Sequence, residues 1–279
     1  MIRVRVVTDS TADLDPEEAD RLGITMVPLR ISWNGESFRD KVDLSIGDFY
    51  RKLKEEQGVP RSSQPPVGEF EDVYRRLLEE CEGIVSIHLS GGLSGTVNAA
   101  RTAALAVAPE SIAVLDSRSI SFATGVVALR VARLAERGAS LAECVALAED
   151  LIPRLRLYCI LDTLEYLRRG GRIGRAQAIA GSLLSIKPIV YLDDGLVEPA
   201  ERVRTMGAAV RRTAELVDAQ GPLEELAVLY GDDPTWAEKL RDMLQRSHPD
   251  LEVKFGRTGS TVGTHTGPGV LGAVFVLAK

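Results

Sequence analysis

Cysteine, histidine and aromatic residues are scarce in this 279-residue chain, and each scarcity removes a class of function. The three cysteines, Cys81, Cys144 and Cys159, form an odd set with no Cys-x-x-Cys spacing. Neither a disulfide framework nor a metal site is supported, and buried free thiols in a reducing compartment are expected. No apolar run approaches the roughly 18 residues that a membrane-spanning helix needs. The first residues, Met1-Ile2-Arg3-Val4, enter a strand pattern without the charged, apolar and small-residue regions of a secretory signal. A cytoplasmic protein without integral membrane association is the expectation. A basic excess is missing as well: the formal net charge is −6. A nucleic-acid partner is therefore not expected, because that grip needs a basic face to displace counterions.

What is present is an ordinary globular composition, 45% hydrophobic and 27% charged, enough to build a packed core. The length fits one large or two medium domains. Short β-branched runs at Val4–Thr8, Ile24–Ile31, Ile84–Leu89 and Ile112–Leu115 read as buried strands. Between them lie helical patterns at Ile46–Glu56 behind Ser45, Gly68–Glu80, Asn98–Ala108 and Ile120–Arg137, and another from Leu141 behind Ser140. This alternation predicts an α/β fold with a mostly parallel sheet covered by helices on both faces.

A second series starts near residue 155. Strands are expected at Leu157–Leu161, Ile186–Leu192, Leu196-Val197, Leu226–Tyr230, Leu251–Phe255 and Val270–Leu277. Helices are expected at Leu164–Arg169, Val203–Ala219 and Pro234–Arg246, and Asp193-Asp194-Gly195 is a hairpin signal. The division expected is an N-terminal α/β domain over 1–155 and a smaller C-terminal α/β domain over 156–279.

The candidate chemistry lies in loops at strand ends, where ligands of open α/β sheets sit. Thr8-Asp9-Ser10-Thr11-Ala12-Asp13 follows the first strand, and its Asp9 and Ser10 either bond a ligand or cap a turn. Ser62-Ser63-Gln64-Pro65-Pro66 presents two hydroxyls and an amide from a stretch that its prolines keep out of helix. Ser90-Gly91-Gly92-Leu93-Ser94-Gly95-Thr96 joins an apolar strand to an Ala-rich helix. Its glycines, Gly92 and Gly95 among them, allow close backbone approach, and the helix start makes an anion seat near Ser94. The spacing is neither that of a P-loop nor that of a nucleophile elbow.

Gly263-Thr264-His265-Thr266-Gly267-Pro268-Gly269 holds one of three histidines in a glycine-rich loop, where an imidazole, neutral or charged, can donate to a carboxylate. Gly267–Gly272 spells a dinucleotide fingerprint but has no room for a βαβ unit. Arg168, Arg169, Arg172 and Arg175 fall within eight positions and, with Arg202 and Arg204, make a local basic feature. Such a cluster either offsets a helix dipole or meets a phosphate or acidic partner.

In this order, Thr8-Asp9-Ser10-Thr11-Ala12-Asp13-Leu14, Ser62-Ser63-Gln64-Pro65, Leu93-Ser94-Gly95-Thr96, Leu115-Asp116-Ser117, Asp162-Thr163-Leu164-Glu165-Tyr166-Leu167-Arg168-Arg169-Gly170-Gly171-Arg172-Ile173 and the His265 loop resemble the DegV family along essentially the whole chain. The resemblance implies a two-domain α/β protein with a deep tunnel, within or between the two domains, for a long-chain fatty acid. The chain is also similar to the fatty-acid-binding subunit of bacterial fatty acid kinase, whose separate catalytic subunit makes an acyl phosphate. On that resemblance the carboxylate contacts are Ser62, Ser94 and His265, supported by Asp9, Ser10, Ser63, Gly92, Gly95 and Thr264. Arg168, Arg169, Arg172 and Arg204 would face the kinase. No catalytic residue, metal or cofactor is implied beyond the bound acid. The family usually has Thr where Ser62 stands, and often Ser-Ser where this chain has Ser90-Gly91. One rival is an esterase-like hydrolase with Ser94 as nucleophile, His265 as base and Asp116 or Asp162 behind it. Another is a lipid-occupancy sensor without a kinase.

Overall fold

The computed structural model describes residues 2–179 and 186–279. Strand β1 (Ile2–Asp9) alternates its side chains between two buried faces, Val4 and Val6 on one and Val7 on the other. With β2 (Thr25–Val27), β6 (Cys81–His88) and β7 (Ile112–Asp116) it forms a parallel sheet in the order β2-β1-β6-β7. The strand expected over Ile24–Ile31 is divided at Pro28, which has no N–H to give the ladder. Beyond it β3 (Arg30–Trp33) leaves for a small antiparallel sheet between β4 (Glu36–Arg39) and β5 (Arg61–Ser63). The hydroxyl segment that its prolines keep out of helix is an edge strand, with Ser62 opposite Ile31, and it stops before Pro65-Pro66.

Helices α1 (Pro16–Arg21) and α2 (Ile46–Glu55) start on side-chain caps from Asp15 and Ser45. Helices α3 (Val67–Leu78) and α4 (Thr96–Val107) cover one face of the parallel sheet through Phe70, Tyr74 and Leu77 and through Ala99, Ala100 and Ala103. Helices α5 (Phe122–Glu136) and α6 (Leu141–Leu151) cover the other, as the alternation predicts. Helix α5 is apolar nearly all round because it is sandwiched: Leu155, Ala227, Leu229, Val274 and Val276 of a third sheet share its core.

That third sheet comprises β8 (Leu155–Ile160), β9 (Lys187–Asp193), β10 (Leu196–Val203), β11 (Leu223–Tyr230), β12 (Val253–Arg257) and β13 (Leu271–Leu277). Its order is β10-β9-β8-β13-β11-β12, and only β11 and β12 run parallel. Helix α7 (Glu165–Arg169) follows β8. Helices α8 (Met206–Asp218) and α9 (Thr235–Ser247) pack on the face away from α5. The helix expected from Val203 starts three residues later, since Val203 still pairs with Lys187 and Thr205 is the cap.

The stretch read as a glycine-rich loop around His265 is instead a short helix, α10 (Ser260–Thr266). Thr264 and Thr266 donate their hydroxyls back to the carbonyls of Ser260 and Val262, and Gly267 ends the helix at φ 80°. Among the described residues no helix is long and apolar enough to cross a membrane.

Candidate functional site

A cavity of about 410 Å³ lies between the face of the six-stranded sheet and the ends of the parallel strands. That is a size typical of sites for small molecules. Its floor is Leu157, Cys159 and Leu161, with Val190 and Leu192 beside them; its roof includes Leu29, Leu89 and Ile120. Cys81 and Cys144 are buried as expected, but Cys159 belongs to this wall. Burial pushes its thiol up to about 12, so it stays uncharged.

Polar groups gather where β5, the start of α4 and the end of α10 meet. Ser62 Oγ and His265 Nε2 are 2.7 Å apart, a contact between residues 203 positions distant in sequence. His265 Nδ1 is buried with no partner. Burial, and then the charge of Arg172, lower the imidazole to about 4, so near neutral pH it is uncharged. The neutral ring has one N–H. If Nε2 carries it, that N–H goes to Ser62 and the serine hydroxyl is free to donate into the cavity. Gly170 allows this packing, because a Cβ there would sit 2.1 Å from Nδ1.

Ser94, Gly95, Ser63 and Gln64 also line the cavity. The Ser94 hydroxyl pairs with that of Thr96 at 2.9 Å and accepts the Thr96 N–H at 3.3 Å, at the first turn of α4. Gln64 lies against Gly95, where a Cβ would fall 1.9 Å from its Oε1. The hydroxyl strand and the glycine loop therefore touch directly.

Other expected residues act at one remove. Asp9 is fully buried. Desolvation would raise its carboxyl, but His88, Thr11 and the Leu89 N–H donate to it and hold it below its ordinary value. Ser10 donates to Asp40 and accepts from the Leu29 N–H. Both thus fix loops that carry cavity residues rather than facing the cavity. Gly92 donates to Ser90 Oγ, whose hydroxyl goes to the carbonyl of Gly195 on the β9–β10 turn. Thr264 is buried and bonded within α10.

Arg172 departs from its expected place among the partner-facing arginines. It lines the cavity, with its guanidinium bonded to the carbonyls of Leu93 and Gly170. Arg168 and Arg169 are exposed and share Glu165, and Arg204 is exposed just beyond β10.

The hydrolase triad is not assembled. His265 bonds Ser62 rather than Ser94, and Nδ1 meets no carboxylate. Asp116 accepts from the Gly91 and Arg118 N–H groups, and Asp162 pairs with Lys187.

Sequence reading missed a buried cluster beside the cavity. Lys41 reaches Asp13 at 2.8 Å, and Ser121 and the Gly259 N–H complete that carboxylate. Burial disfavours the Lys41 charge, but Asp13, Asp40 and Asp9 outweigh it and hold the ammonium above its ordinary value. Nothing local marks Lys41; only the fold brings it to Asp13. Among the described residues no group of three or more His, Cys, Asp or Glu could hold a metal.

Comparison with known proteins adds a frame for this geometry. A sequence profile described as "Uncharacterised protein, DegV family" matches residues 3–278. A DegV domain-containing protein of Streptomyces coelicolor is 40% identical over 275 residues, 97% of each chain. A solved structure described as fatty acid binding of a DegV family protein from Thermus thermophilus superposes with a TM-score of 0.93 at 35% identity. It covers 99% of this chain and 100% of that one. DegV of Bacillus subtilis, described as a fatty acid binding protein, gives a TM-score of 0.89 at 34% identity over the full length of both.

Proposed function

The chain belongs to the DegV family, and from that premise we propose that it is a carrier that binds one long-chain fatty acid and presents its carboxylate to a separate kinase. The observation that carries the reading is the division of the cavity: the hydroxyls of Ser62 and Ser94 at one end, an apolar channel behind them. The Thermus thermophilus and Bacillus subtilis relatives, both described as fatty-acid-binding, support it.

In this reading the two lobes, 1–155 and 156–279, enclose the acid. Ser62 and Ser94 hold the carboxylate, each charge-assisted hydrogen bond contributing about 1.5–3 kcal/mol, while the neutral His265 spends its one N–H on Ser62 and orients that hydroxyl. Arg172, already at the cavity and held by two carbonyls, supplies the nearest positive charge. Burying the tail contributes about 0.8 kcal/mol per CH₂, on the order of 10 kcal/mol for a long chain before ordering costs are subtracted. The tail sets affinity and the head group sets orientation. Phosphoryl transfer belongs to the partner, which the exposed Arg168, Arg169 and Arg204 would meet in a cytoplasmic setting.

Native mass spectrometry of the purified protein tests the first half: a long-chain acid is expected to co-purify, and a clean apo mass under gentle conditions counts against the reading. Ser94→Ala tests the second. Fatty-acid affinity is expected to fall about 10- to 100-fold, the loss of one charge-assisted bond, together with kinase-coupled turnover. If neither changes, the carboxylate assignment is wrong. If affinity falls but no kinase accepts the loaded protein, the occupancy-sensor reading takes its place.

A further inference from the structure

One wall of the cavity is parted. Strands β8 and β9 pair only where Tyr158–Ile160 meets Ile189–Tyr191. Beyond that point β8 stays with β13 as far as Leu155, opposite Val276, while β9 stays with β10 out to Asp193, opposite Leu196. The two neighbours diverge, and Leu157, Tyr191 and Leu192 flank the parting. The same three residues border a second space of about 690 Å³.

That space differs in kind from the cavity. Arg118, Arg156, Glu149 and Asp193 line it, so it carries charge of both signs. The Gln220 amide donates to the Tyr158 hydroxyl there at 3.2 Å, and Arg118 pairs with Asp194 at the surface. It is a polar groove open to water that shares Leu157, Tyr191 and Leu192 with the apolar channel where β8 and β9 cease to pair.

Resting on the reading that the cavity holds an acyl chain, we propose that the chain's ω end reaches this gap, so that the protein accepts fatty acids bearing an ω-hydroxyl group. In a sealed apolar cavity an ω-hydroxyl would lose its water and find no partner, a strong ground for rejection. At the gap the hydroxyl keeps water and meets the groove's donors and acceptors. Mixed charge favours a neutral hydroxyl over a second carboxylate, which would face Asp193 and Glu149 as well as Arg156.

The test is calorimetric titration of the delipidated protein with palmitic acid and with ω-hydroxypalmitic acid. The hydroxy acid is expected to bind within about threefold of palmitic acid, whereas a sealed cavity would weaken it roughly 10- to 100-fold. A loss of that larger size overturns the proposal. If palmitic acid itself does not bind, it is the fatty-acid reading that fails, so the two failures are distinct. A second variant tests the route. Asp193 lines the groove and not the cavity, and Asp193→Trp narrows the outlet. It is expected to weaken the hydroxy acid about fivefold or more, leaving palmitic acid within about twofold, because only the former needs hydration beyond the gap. Equal effects on both acids, or on neither, would show that the ω end does not pass this way.

Discussion

The Asp9–Asp13–Lys41 cluster and the Ser62–His265 pair lie close together, on either side of α10 and its N-terminal turn, and both are dense in hydrogen-bonding groups. They are built to opposite rules. Around Asp9 and Asp13 the donors are matched within the protein: His88, Thr11, Leu89 N–H, Lys41, Ser121 and Gly259 N–H each have an assigned carboxylate oxygen. Ser62 and His265 bond each other at the edge of a cavity, and the Ser62 hydroxyl has bonding capacity left over. Buried polar groups are normally satisfied. The matched cluster is therefore scaffold, and the Ser62–His265 pair is where an incoming ligand has something to add.

The largest test of this contrast falls on the scaffold. Lys41→Met leaves Asp13 buried without its cation, and breaking such a pair is expected to lower the unfolding free energy by about 3–5 kcal/mol. Denaturant melts of the ligand-free protein measure it; a loss below about 1 kcal/mol would make the cluster incidental.

His265 sharpens the contrast through pH. Its imidazole titrates at about 4 in the folded protein, against 6.5 when unperturbed. Below pH 6.5 the unfolded chain takes up a proton that the folded one refuses. Stability is thus fully present above that pH and declines as pH falls toward 4, by about 3 kcal/mol in all. His265→Gln is expected to flatten that part of the profile in the ligand-free protein. A bound carboxylate is expected to shrink the decline by raising the folded-state value toward normal, so that the folded protein takes up the proton as well. An unchanged profile in the variant would show that another group titrates there.

The smallest stability effect belongs to the surface. Arg168 and Arg169 share Glu165 in water, and such pairs are worth about 0–1 kcal/mol. Replacing both by Ala should leave stability and fatty-acid affinity nearly unchanged and reduce only kinase-coupled turnover. A fall in affinity would move these side chains from the partner surface into the binding site.

The sequence revealed strands and helices through their periods, and those carried the parallel sheet and its two helical layers. Pro28 was visible too, yet its consequence, a strand handed from one sheet to another, depends on where β3 finds partners. The site was partly legible: Ser62, Ser94 and His265 stood in loops whose composition suggested contact with an anion, and all three line one cavity. What composition concealed was direction. Arg172 reads like its neighbours Arg168 and Arg169, but turns inward because the carbonyls of Leu93 and Gly170 are there to receive it. Helix α10 was hidden by its central Gly263 and its three threonines, poor helix formers that the surrounding packing overrides.

The contact between Ser62 and His265 also sets a schedule. Chains emerge from the ribosome N-terminus first, and early segments begin to fold before later ones exist. The parallel sheet, β5 and the glycine loop are all made well before α10. Until the last helix docks, the serine lacks its imidazole and the channel lacks one wall. On the proposed reading, firm capture of a lipid is therefore expected only once α10 has docked.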